Sequence, residues 1–289
     1  MPLPSGLPVV DHHCHLSPTG EGVAAARRFR DAGGTHLFLA TQNYGAAVPL
    51  SLDAYRRQFE TTERLAGQVR EATAVVAYPV IAPYPVDLLA ASDALGRAAA
   101  LQLHCDALDL AGSWVREHRA VALGEVGWVH FPIAPDLASA VDDAFRHALG
   151  VARDVDCPLV VHSADLDASG FRELGQRARE AGVPAGRVVK HFARSRVLPE
   201  ERGDIVPSYL ARRELVREVR TDPGPWFLET DFLDDTTRPG AVLDLATVPR
   251  RARAIADEPG GIEQLFVPFV ESIERVYGWR PEISEGNRS

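Results

Sequence analysis

The stretch Leu7–Thr41, LPVVDHHCHLSPTGEGVAAARRFRDAGGTHLFLAT, contains one complete strand–helix–strand unit. Short apolar runs at Leu7–His12 and Thr35–Thr41 are typical of strands that are buried on both faces. The segment Gly22–Ala32 between them has helical spacing, and the two glycines that follow it suit the end of a helix. This order of elements predicts two parallel strands joined by a right-handed crossover.

The same alternation continues along the rest of the chain. Six further apolar runs predict strands at Ala74–Ile81, Ala120–Val126, Pro158–His162, Val188–His191, Asp204–Pro207 and Trp226–Asp231. Helical spacing predicts helices at Leu52–Ala72, Ala94–Arg119, Leu137–Asp154, Gly170–Ala181, Ala211–Arg220 and Ile262–Tyr277. Eight strands alternating with helices predict an α/β protein, a closed (β/α)8 TIM barrel. A doubly wound open sheet is the alternative, but no glycine-rich turn follows the first strand. No linker divides the sequence, so we predict a single domain over residues 1–289.

Composition and charge exclude several classes of protein. Of the 289 residues, 46% are hydrophobic and 25% are charged, which excludes a disordered, collagen-like or coiled-coil chain. No run of 18 apolar residues predicts a membrane span. The first residues lack the basic and apolar regions of a signal peptide, and the three cysteines are widely separated. Reduced thiols and a cytoplasmic location are therefore expected.

The net charge bears on the choice of partner. The sequence has 31 basic and 40 acidic residues, a net charge of −9. An acidic chain is not drawn to nucleic acid by its overall field, although a phosphate could still bind locally through a metal ion. We therefore expect a small-molecule or phosphoester substrate and no membrane partner. A nucleic acid substrate is not favoured, and the oligomeric state is left open.

Two histidines end the first strand and have the spacing of metal ligands. In His13-Cys14-His15, alternation puts both imidazoles on one face, about 7 Å apart along the strand. Two imidazoles on one face can bind one divalent cation. The pair alone is weak support, because such pairs often arise by chance.

Four more potential ligands stand at the ends of later apolar runs. They are Glu125, His162, His191 and Asp231. The carboxyl ends of the strands of a (β/α)8 barrel converge on one face, and an unpaired polar group there is costly. Four histidines and two carboxylates are enough ligands for one or two divalent cations, a device that supports hydrolysis.

The motifs DHHCHL, GEVG, VHSAD, KH and LETD, in this order, resemble the TatD-like branch of the metal-dependent amidohydrolase superfamily. The stretches GEGVAAARRFRDAGGTH and ETDFLDDTTRPGAVLDLATVPRR look more similar still to the TatD-related hydrolases of archaea. The resemblance runs from the first strand to the end of the eighth. It implies a TIM barrel with a mononuclear or binuclear centre that activates water for hydrolysis.

The resemblance also implies the role of each ligand: His13, His15 and Asp231 for one metal, His162 and His191 for the other, and Glu125 between them. Asp231 and Glu125 are then the expected catalytic residues, with Asp231 taking the proton of the attacking water. Other branches of the superfamily use a carboxylated lysine as the bridge. Here Lys190 is the only lysine among 31 basic residues and lies on the sixth strand, which leaves Glu125 as the bridge. Zinc suits the four histidines, and magnesium or manganese suits carboxylates.

The sequence departs from TatD nucleases in the motifs around the metal ligands. Those enzymes typically have arginine two residues after the fifth-strand histidine, where this chain has Ala164. Their G-x-H-P motif corresponds to Ala82–Pro85, and their C-F-S-G-like turn to Phe192–Ser195. We therefore predict a metal-dependent hydrolase of a phosphoester and expect its DNase-like activity to be weak. The alternatives are a small-molecule amidohydrolase, lactonase or esterase-like enzyme, and a non-catalytic metal-binding barrel.

Loops at the carboxyl ends of the strands supply candidate substrate contacts. These are Lys190, Arg194, Arg238, Trp128 and His130. A phosphodiesterase predicts a positive mouth built from the basic members of this set together with Arg196, whereas a small-molecule enzyme predicts an enclosed apolar pocket.

Three further acidic residues lie near the candidate ligands in the sequence. Asp11 is a candidate orienter of a ligand histidine. Glu229 either accepts a hydrogen bond near the metals or pairs with an arginine. Asp234 is expected to cap or pair with the turn that follows it.

Overall fold

The computed structural model describes residues 6–45, 47–235, 237 and 242–281, and a parallel sheet forms its centre. The strands are β1 (Val10–His15), β2 (His36–Ala40), β3 (Val76–Ile81), β4 (Ala122–Gly127), β5 (Leu159–His162), β6 (Val188–Ala193), β7 (Val206–Leu210), β8 (Phe227–Glu229) and β9 (Phe232–Leu233). The helices are α1 (Val23–Asp31), α2 (Leu52–Thr73), α3 (Asp87–Leu95), α4 (Arg97–Arg116), α5 (Pro135–Val155), α6 (Ala168–Glu180), α7 (Arg213–Val219), α8 (Thr247–Ala256), α9 (Gly261–Phe266) and α10 (Ser272–Tyr277). None of the described helices is long and apolar enough to cross a membrane.

The sheet closes on itself through the eighth strand of the predicted barrel. Its order is β8-β7-β6-β5-β4-β3-β2-β1-β9, with every neighbouring pair parallel. β8 lies within the predicted strand Trp226–Asp231 and pairs with β7, whereas β9 begins directly after that predicted strand and pairs with β1. The backbone N–H of Asp231 donates to the carbonyl of His13 across this seam. The (β/α)8 fold is therefore confirmed, with a break in the eighth strand that the sequence did not predict.

Alternation along the strands separates two apolar layers. Consecutive strands contribute Val80, Ala122, Val160 and Val189 to one cluster of buried side chains. Their sequence neighbours belong to a second cluster that contains residues of the surrounding helices: Leu123, Leu159, Val161 and Val188. Burial on both faces is the reason that these strands are continuous apolar runs. It also makes each polar residue at a strand end conspicuous.

The helices differ from the predicted ones where the backbone forces a change of direction. The predicted helix Ala94–Arg119 is divided between α3 and α4, because Gly96 adopts a φ of 81°, which an α-helix cannot continue. The predicted helix Ile262–Tyr277 is α9 and α10 joined by a π-helical turn that contains Pro268, which lacks a backbone donor. Helix α8 was not predicted. Strands β1 and β7 end three residues later than predicted.

Candidate metal centre

Six potential metal ligands gather at the carboxyl end of the barrel. They come from four strands and one strand break: His13 and His15 on β1, Glu125 on β4, His162 on β5, His191 on β6 and Asp231 between β8 and β9. A shift in register between Gly124 and Val126 marks the point where β4 presents Glu125. The sequence prediction thus named side chains that the fold brings together.

Four of these side chains form one group. Oε1 of Glu125 lies 2.7 Å from Nε2 of His13 and 3.4 Å from Nε2 of His15. Oδ1 of Asp231 lies 3.8 Å and 3.6 Å from the same two nitrogens. One ligand atom from each residue lies within 4.8 Å of the other three. Atoms this close can contact a single cation, because metal–ligand bonds of zinc are about 2 Å long.

Glu125 also belongs to a second group with His162 and His191. Its Oε2 lies 3.4 Å from Nδ1 of His162, and its Oε1 lies 3.3 Å from Nε2 of His191. The two imidazoles approach to 3.0 Å between His162 Nδ1 and His191 Nε2. Glu125 is therefore the residue common to both groups, which is the position required of a bridging carboxylate.

The hydrogen bonds of His15 show which of its two ring nitrogens carries the hydrogen and which one faces the cluster with a lone pair. Its Nδ1 lies 3.2 Å from the carbonyl oxygen of Ala40, an acceptor, so Nδ1 carries the hydrogen of the neutral ring. Nε2 then faces Nε2 of His13 at 3.2 Å and the carboxylates of Glu125 and Asp231 with a lone pair. Lone pairs at these distances repel unless a proton or cation lies between them. The donor set therefore fits a divalent cation.

The electrostatics of the cluster favour positive charge. Burial lowers the pKa of the His15 imidazole, but Asp231 and Glu125 outweigh it and raise this pKa to about 10. Burial raises the pKa of Glu125, but His191 and His162, with hydrogen bonds from His13 and His15, hold it well below its ordinary value. An ionised carboxylate is the form that binds metals.

Glu229 lies behind His191 and is fully buried. Its Oε1 accepts a hydrogen bond of 2.7 Å from the backbone N–H of Phe192 and lies 3.5 Å from Nδ1 of His191. No arginine is among its described hydrogen-bond or ion-pair partners. Of the two roles open from the sequence, the structure supports that of an acceptor beside a candidate ligand.

Two residues at the site have left-handed backbones. Asp231 has a φ of 49° and Phe192 a φ of 56°. Such values cost about 1–3 kcal/mol for residues other than glycine, and aspartate tolerates them better than phenylalanine. At Asp231 the turn separates β8 from β9.

Thr230, which precedes Asp231, is fixed by hydrogen bonds from its backbone N–H and hydroxyl to Asp11. Asp11 thus holds the seam, and it also accepts from the backbone N–H of His13 rather than from an imidazole.

A cavity of about 610 Å³ opens onto the cluster. Five of the six candidate ligands line it, and the side chain of Asp231 is 17% exposed. The remaining wall consists of polar side chains that follow each of the strands β2 to β6 and of the apolar side chains of Ala164, Phe192, Leu233 and Val242. The cluster is therefore accessible to a small molecule.

Two predicted substrate contacts lie at this cavity. Nδ1 of His130 is 2.9 Å from Nε2 of His162, and the His130 ring lines the wall. Arg194 also lines the cavity, but its backbone N–H donates to Asp165 and its Nε lies 3.9 Å from that carboxylate. The cation is thus partly neutralised by its own neighbour.

Two others are placed elsewhere, which corrects the prediction. The indole of Trp128 packs against Phe145 at 4.5 Å and donates to Asp142, away from the cavity lining. Lys190 is fully buried, and its ammonium donates to the carbonyl oxygen of His191. Successive side chains of a strand point to opposite faces, so a neighbour of a ligand in sequence points away from the ligand. Burial lowers the pKa of Lys190 to about 8.

Among the described residues, no cluster of basic side chains forms the positive mouth that a phosphodiesterase predicts. Arg196 makes an ion pair with the buried carboxylate of Asp222. Arg238 lies outside the described residues. Among the described residues that line the cavity, Arg194 is the one arginine or lysine.

The described hydrogen bonds of Asp234 reach back to the loop that follows β1. Its carboxylate accepts hydrogen bonds from the backbone N–H groups of Ser17, Glu21 and Gly22 at 2.7–2.9 Å. It thereby fastens the loop after β1 to the end of β9. Asp235 bonds Thr237 instead.

Four wall residues that follow strands were not predicted from the sequence. Thr41, Gln42 and Asn43 follow β2, and Tyr84 follows β3. The rule that loops at the carboxyl ends of barrel strands form the site would have found them. They were overlooked because none is a metal-ligand type.

Comparison with known families decides the relationship. The profile of the family described as "TatD related DNase" matches residues 10–277. The chain belongs to the TatD-related DNase family. It is accordingly a metal-dependent hydrolase, and the resemblance inferred from the motifs is confirmed. The uncharacterized protein MJ1127 of Methanocaldococcus jannaschii is 30% identical over 283 residues, which cover 96% of this chain and 98% of that protein.

Solved structures of other proteins share the fold. The TatD-like protein of Archaeoglobus fulgidus has a TM-score of 0.62 at 13% identity, covering 93% of this chain and 100% of that one. The TatD homologue YJJV of Escherichia coli has a TM-score of 0.59 at 17% identity, with coverages of 93% and 98%. An organophosphorus hydrolase variant of Deinococcus radiodurans has a TM-score of 0.57 at 14% identity, with coverages of 94% and 93%.

Proposed function

We propose that this TatD-family chain is a hydrolase of small phosphoesters that works with one or two divalent cations held by the six clustered side chains. The observation that carries the proposal is the position of Glu125, whose carboxylate lies both with His13, His15 and Asp231 and with His162 and His191. The cavity next to the cluster supports catalysis over a purely structural metal site, because a structural site is closed by protein ligands.

The candidate ligands divide into the two groups of the cluster. His13, His15 and Asp231 would hold one cation, His162 and His191 the second, and Glu125 both. A bound divalent cation lowers the pKa of water and polarises the bond to be cleaved. Zinc is the expected ion for a set rich in histidine, with magnesium and manganese as alternatives.

Asp231 is the residue proposed to take the proton from water. Its carboxylate is the most exposed acidic group of the cluster, at 17%, whereas Glu125 is 5% exposed. Its left-handed backbone turns the side chain out of the strand ladder toward the cavity. The hydrogen bond from the backbone N–H of Phe192 would hold the Glu229 carboxylate beside His191, and that carboxylate would keep the imidazole oriented.

The walls favour a small substrate over DNA. A protein that binds a nucleic acid backbone neutralises several phosphates with lysine or arginine. Here Arg194 is the one such residue among the described lining, and Asp165 already faces it. The apolar wall of Phe192, Leu233 and Val242 favours, as a second candidate, a small ester, lactone or amide.

Metal analysis tests the first part of the proposal. Protein stripped with a chelator and reconstituted with zinc or manganese should contain close to two ions per chain by elemental analysis. His13→Ala should reduce this content, whereas His147→Ala should not, because His147 pairs with Asp109 outside the cluster. Absence of metal from the reconstituted wild-type protein would show that the proposal is wrong.

A substrate panel tests the second part. We expect the metal-loaded protein to hydrolyse bis(p-nitrophenyl) phosphate faster than single-stranded DNA at physiological salt. Faster hydrolysis of p-nitrophenyl acetate or a lactone would favour the second candidate. Rapid metal-dependent exonuclease activity would reverse the ranking, and metal binding without turnover of any substrate would favour the non-catalytic barrel.

A further inference from the structure

Tyr84 holds a hydroxyl group against the candidate metal centre at the edge of the cavity. It lies in the loop between β3 and α3, and its oxygen is 3.2 Å from Nε2 of His162. The phenol meets the imidazole edge-on, with ring centroids 5.1 Å apart and an interplanar angle of 79°. Pro83 and Pro85 flank it and restrict the loop backbone. The ring is partly exposed and lines the cavity.

The position of the hydrogen on His162 decides what this hydroxyl can do. Nδ1 of His162 faces Glu125 and His191 in the cluster, so it must be free of hydrogen if it is to bind a cation. The neutral ring then carries its hydrogen on Nε2. Nε2 faces two groups, Nδ1 of His130 at 2.9 Å and the Tyr84 oxygen at 3.2 Å. A protonated Nε2 has no free lone pair, so neither His130 nor Tyr84 can donate a hydrogen bond to it.

As an acceptor, Tyr84 keeps its own hydrogen for another partner. Among the described residues, His162 is the one hydrogen-bond partner of this hydroxyl. A phenol has an ordinary pKa of about 10 and remains protonated at neutral pH. The hydrogen is thus available to a molecule in the cavity.

The other polar side chains of the wall already make hydrogen bonds within the protein. Gln42 donates to the carbonyl of Leu16, and Asn43 donates to that of Ala47. The Ser163 hydroxyl donates to the carbonyl of Ala164, and Arg194 faces Asp165. The hydroxyl of Thr41 bonds that of Thr62. Among the hydroxyl groups of the described wall, that of Tyr84 is therefore the one whose hydrogen has no acceptor in the protein.

We propose that Tyr84 is a catalytic residue that donates a hydrogen bond to an oxygen of the substrate's reacting group. This inference rests on the proposed function, since it requires a substrate oxygen beside the cluster. A neutral donor suits a phosphoryl or acyl oxygen on which negative charge grows during attack by water. The substrate class is therefore an ester or amide whose reacting centre carries an unblocked oxygen.

The test compares Tyr84→Phe with Tyr44→Phe. Each variant loses one hydroxyl and keeps the ring, and the Tyr44 hydroxyl bonds Thr62 outside the cavity lining. Inorganic phosphate is the binding probe for the zinc-loaded proteins, measured by calorimetric titration, and bis(p-nitrophenyl) phosphate is the substrate. Metal content and melting temperature are measured for each variant.

For Tyr84→Phe we expect unchanged metal content, phosphate affinity about 10-fold lower and kcat lower by about 10-fold or more, the effect of losing a hydrogen bond to a charged group. Tyr44→Phe should retain wild-type values of both. Wild-type phosphate affinity and kcat in Tyr84→Phe would overturn the inference. Loss of metal from Tyr84→Phe would also overturn it, by assigning the hydroxyl to the support of His162. A wild-type protein that binds metal but neither binds phosphate nor turns over any ester would instead refute the proposed function itself.

Discussion

Glu125 is the carboxylate at which both halves of the candidate metal centre meet. Its Oε1 lies 2.7–3.4 Å from ring nitrogens of His13, His15 and His191, and its Oε2 lies 3.4 Å from His162. Glu125→Gln preserves the shape of the side chain but removes its charge. It also replaces one acceptor oxygen by an amide group that donates hydrogens toward ring nitrogens. The variant should therefore lose at least one of the two cations.

The expected loss is large because Glu125 is buried, with 5% of its surface exposed. Removing one member of a buried charge pair costs about 3–5 kcal/mol. At about 1.4 kcal/mol for each tenfold change, the affinity for the weaker cation should fall by about 10²–10³-fold or more. Hydrolysis should be nearly abolished, since the proposed mechanism requires the bridged centre.

Calorimetric titration of zinc into chelator-treated protein, with elemental analysis of the dialysed product, measures both stoichiometry and affinity. Glu63→Gln is the matched control, because Glu63 pairs with Arg119 on the outside of the barrel. This control should bind two ions with wild-type affinity. Two ions bound with wild-type affinity in Glu125→Gln, together with near-normal activity, would refute the bridging role.

Three further predictions concern carboxylates that have different roles in the protein. Asp231→Asn keeps an oxygen ligand but cannot take a proton. Metal analysis should therefore show modestly weaker metal binding, and steady-state kinetics should show turnover lower by about 10²–10⁴-fold. Full turnover with both metals bound would remove Asp231 from the mechanism. Burial raises the pKa of Asp87 from 3.8 to about 7, so the stability of the fold declines as the pH rises from about 4 to 7 and stays at the lower value above that. Asp87→Asn should therefore raise the melting temperature at pH 8 by several degrees and change it little at pH 4.5, and a shift of equal size at both values would contradict this reading. Asp234→Ala leaves three backbone N–H groups without their acceptor, so thermal unfolding should show a free energy of unfolding lower by about 2–4 kcal/mol. Zinc titration should show weaker binding, because the loop after the candidate ligand His15 is no longer held in place. Unchanged stability would show that water replaces the carboxylate.

The order and number of the strands could be predicted from the sequence because a strand that is buried on both faces consists of a continuous run of apolar residues. The six candidate ligands were predictable for the same reason. A histidine or carboxylate at the end of such a run stands out, and the carboxyl ends of parallel strands in a barrel must converge. The single lysine also allowed an argument from composition, because no other residue could supply a lysine bridge.

Other features depend on backbone geometry that no residue pattern encodes. The break between β8 and β9 arises because Asp231 adopts a left-handed conformation while Asp11 fixes Thr230 across the seam, a contact between residues 219 positions apart. Helices α3 and α4 separate at one glycine whose φ only the folded chain defines. Sequence position alone cannot reveal such a choice, since glycine is tolerated within helices.

The directions of side chains in the site were decided only by the tertiary structure. Lys190 adjoins the candidate ligand His191 in sequence, but strand alternation turns it away from the cavity into a buried position. Tyr84 has no ligand chemistry and gave no signal in the sequence, yet its loop brings its hydroxyl to 3.2 Å from His162, a residue 78 positions away. The sequence determined which strand ends carry the potential ligands, because burial makes polar residues there costly. The closed barrel determined which of the neighbouring side chains face the same cavity, because that depends on contacts between strands and loops far apart in the chain.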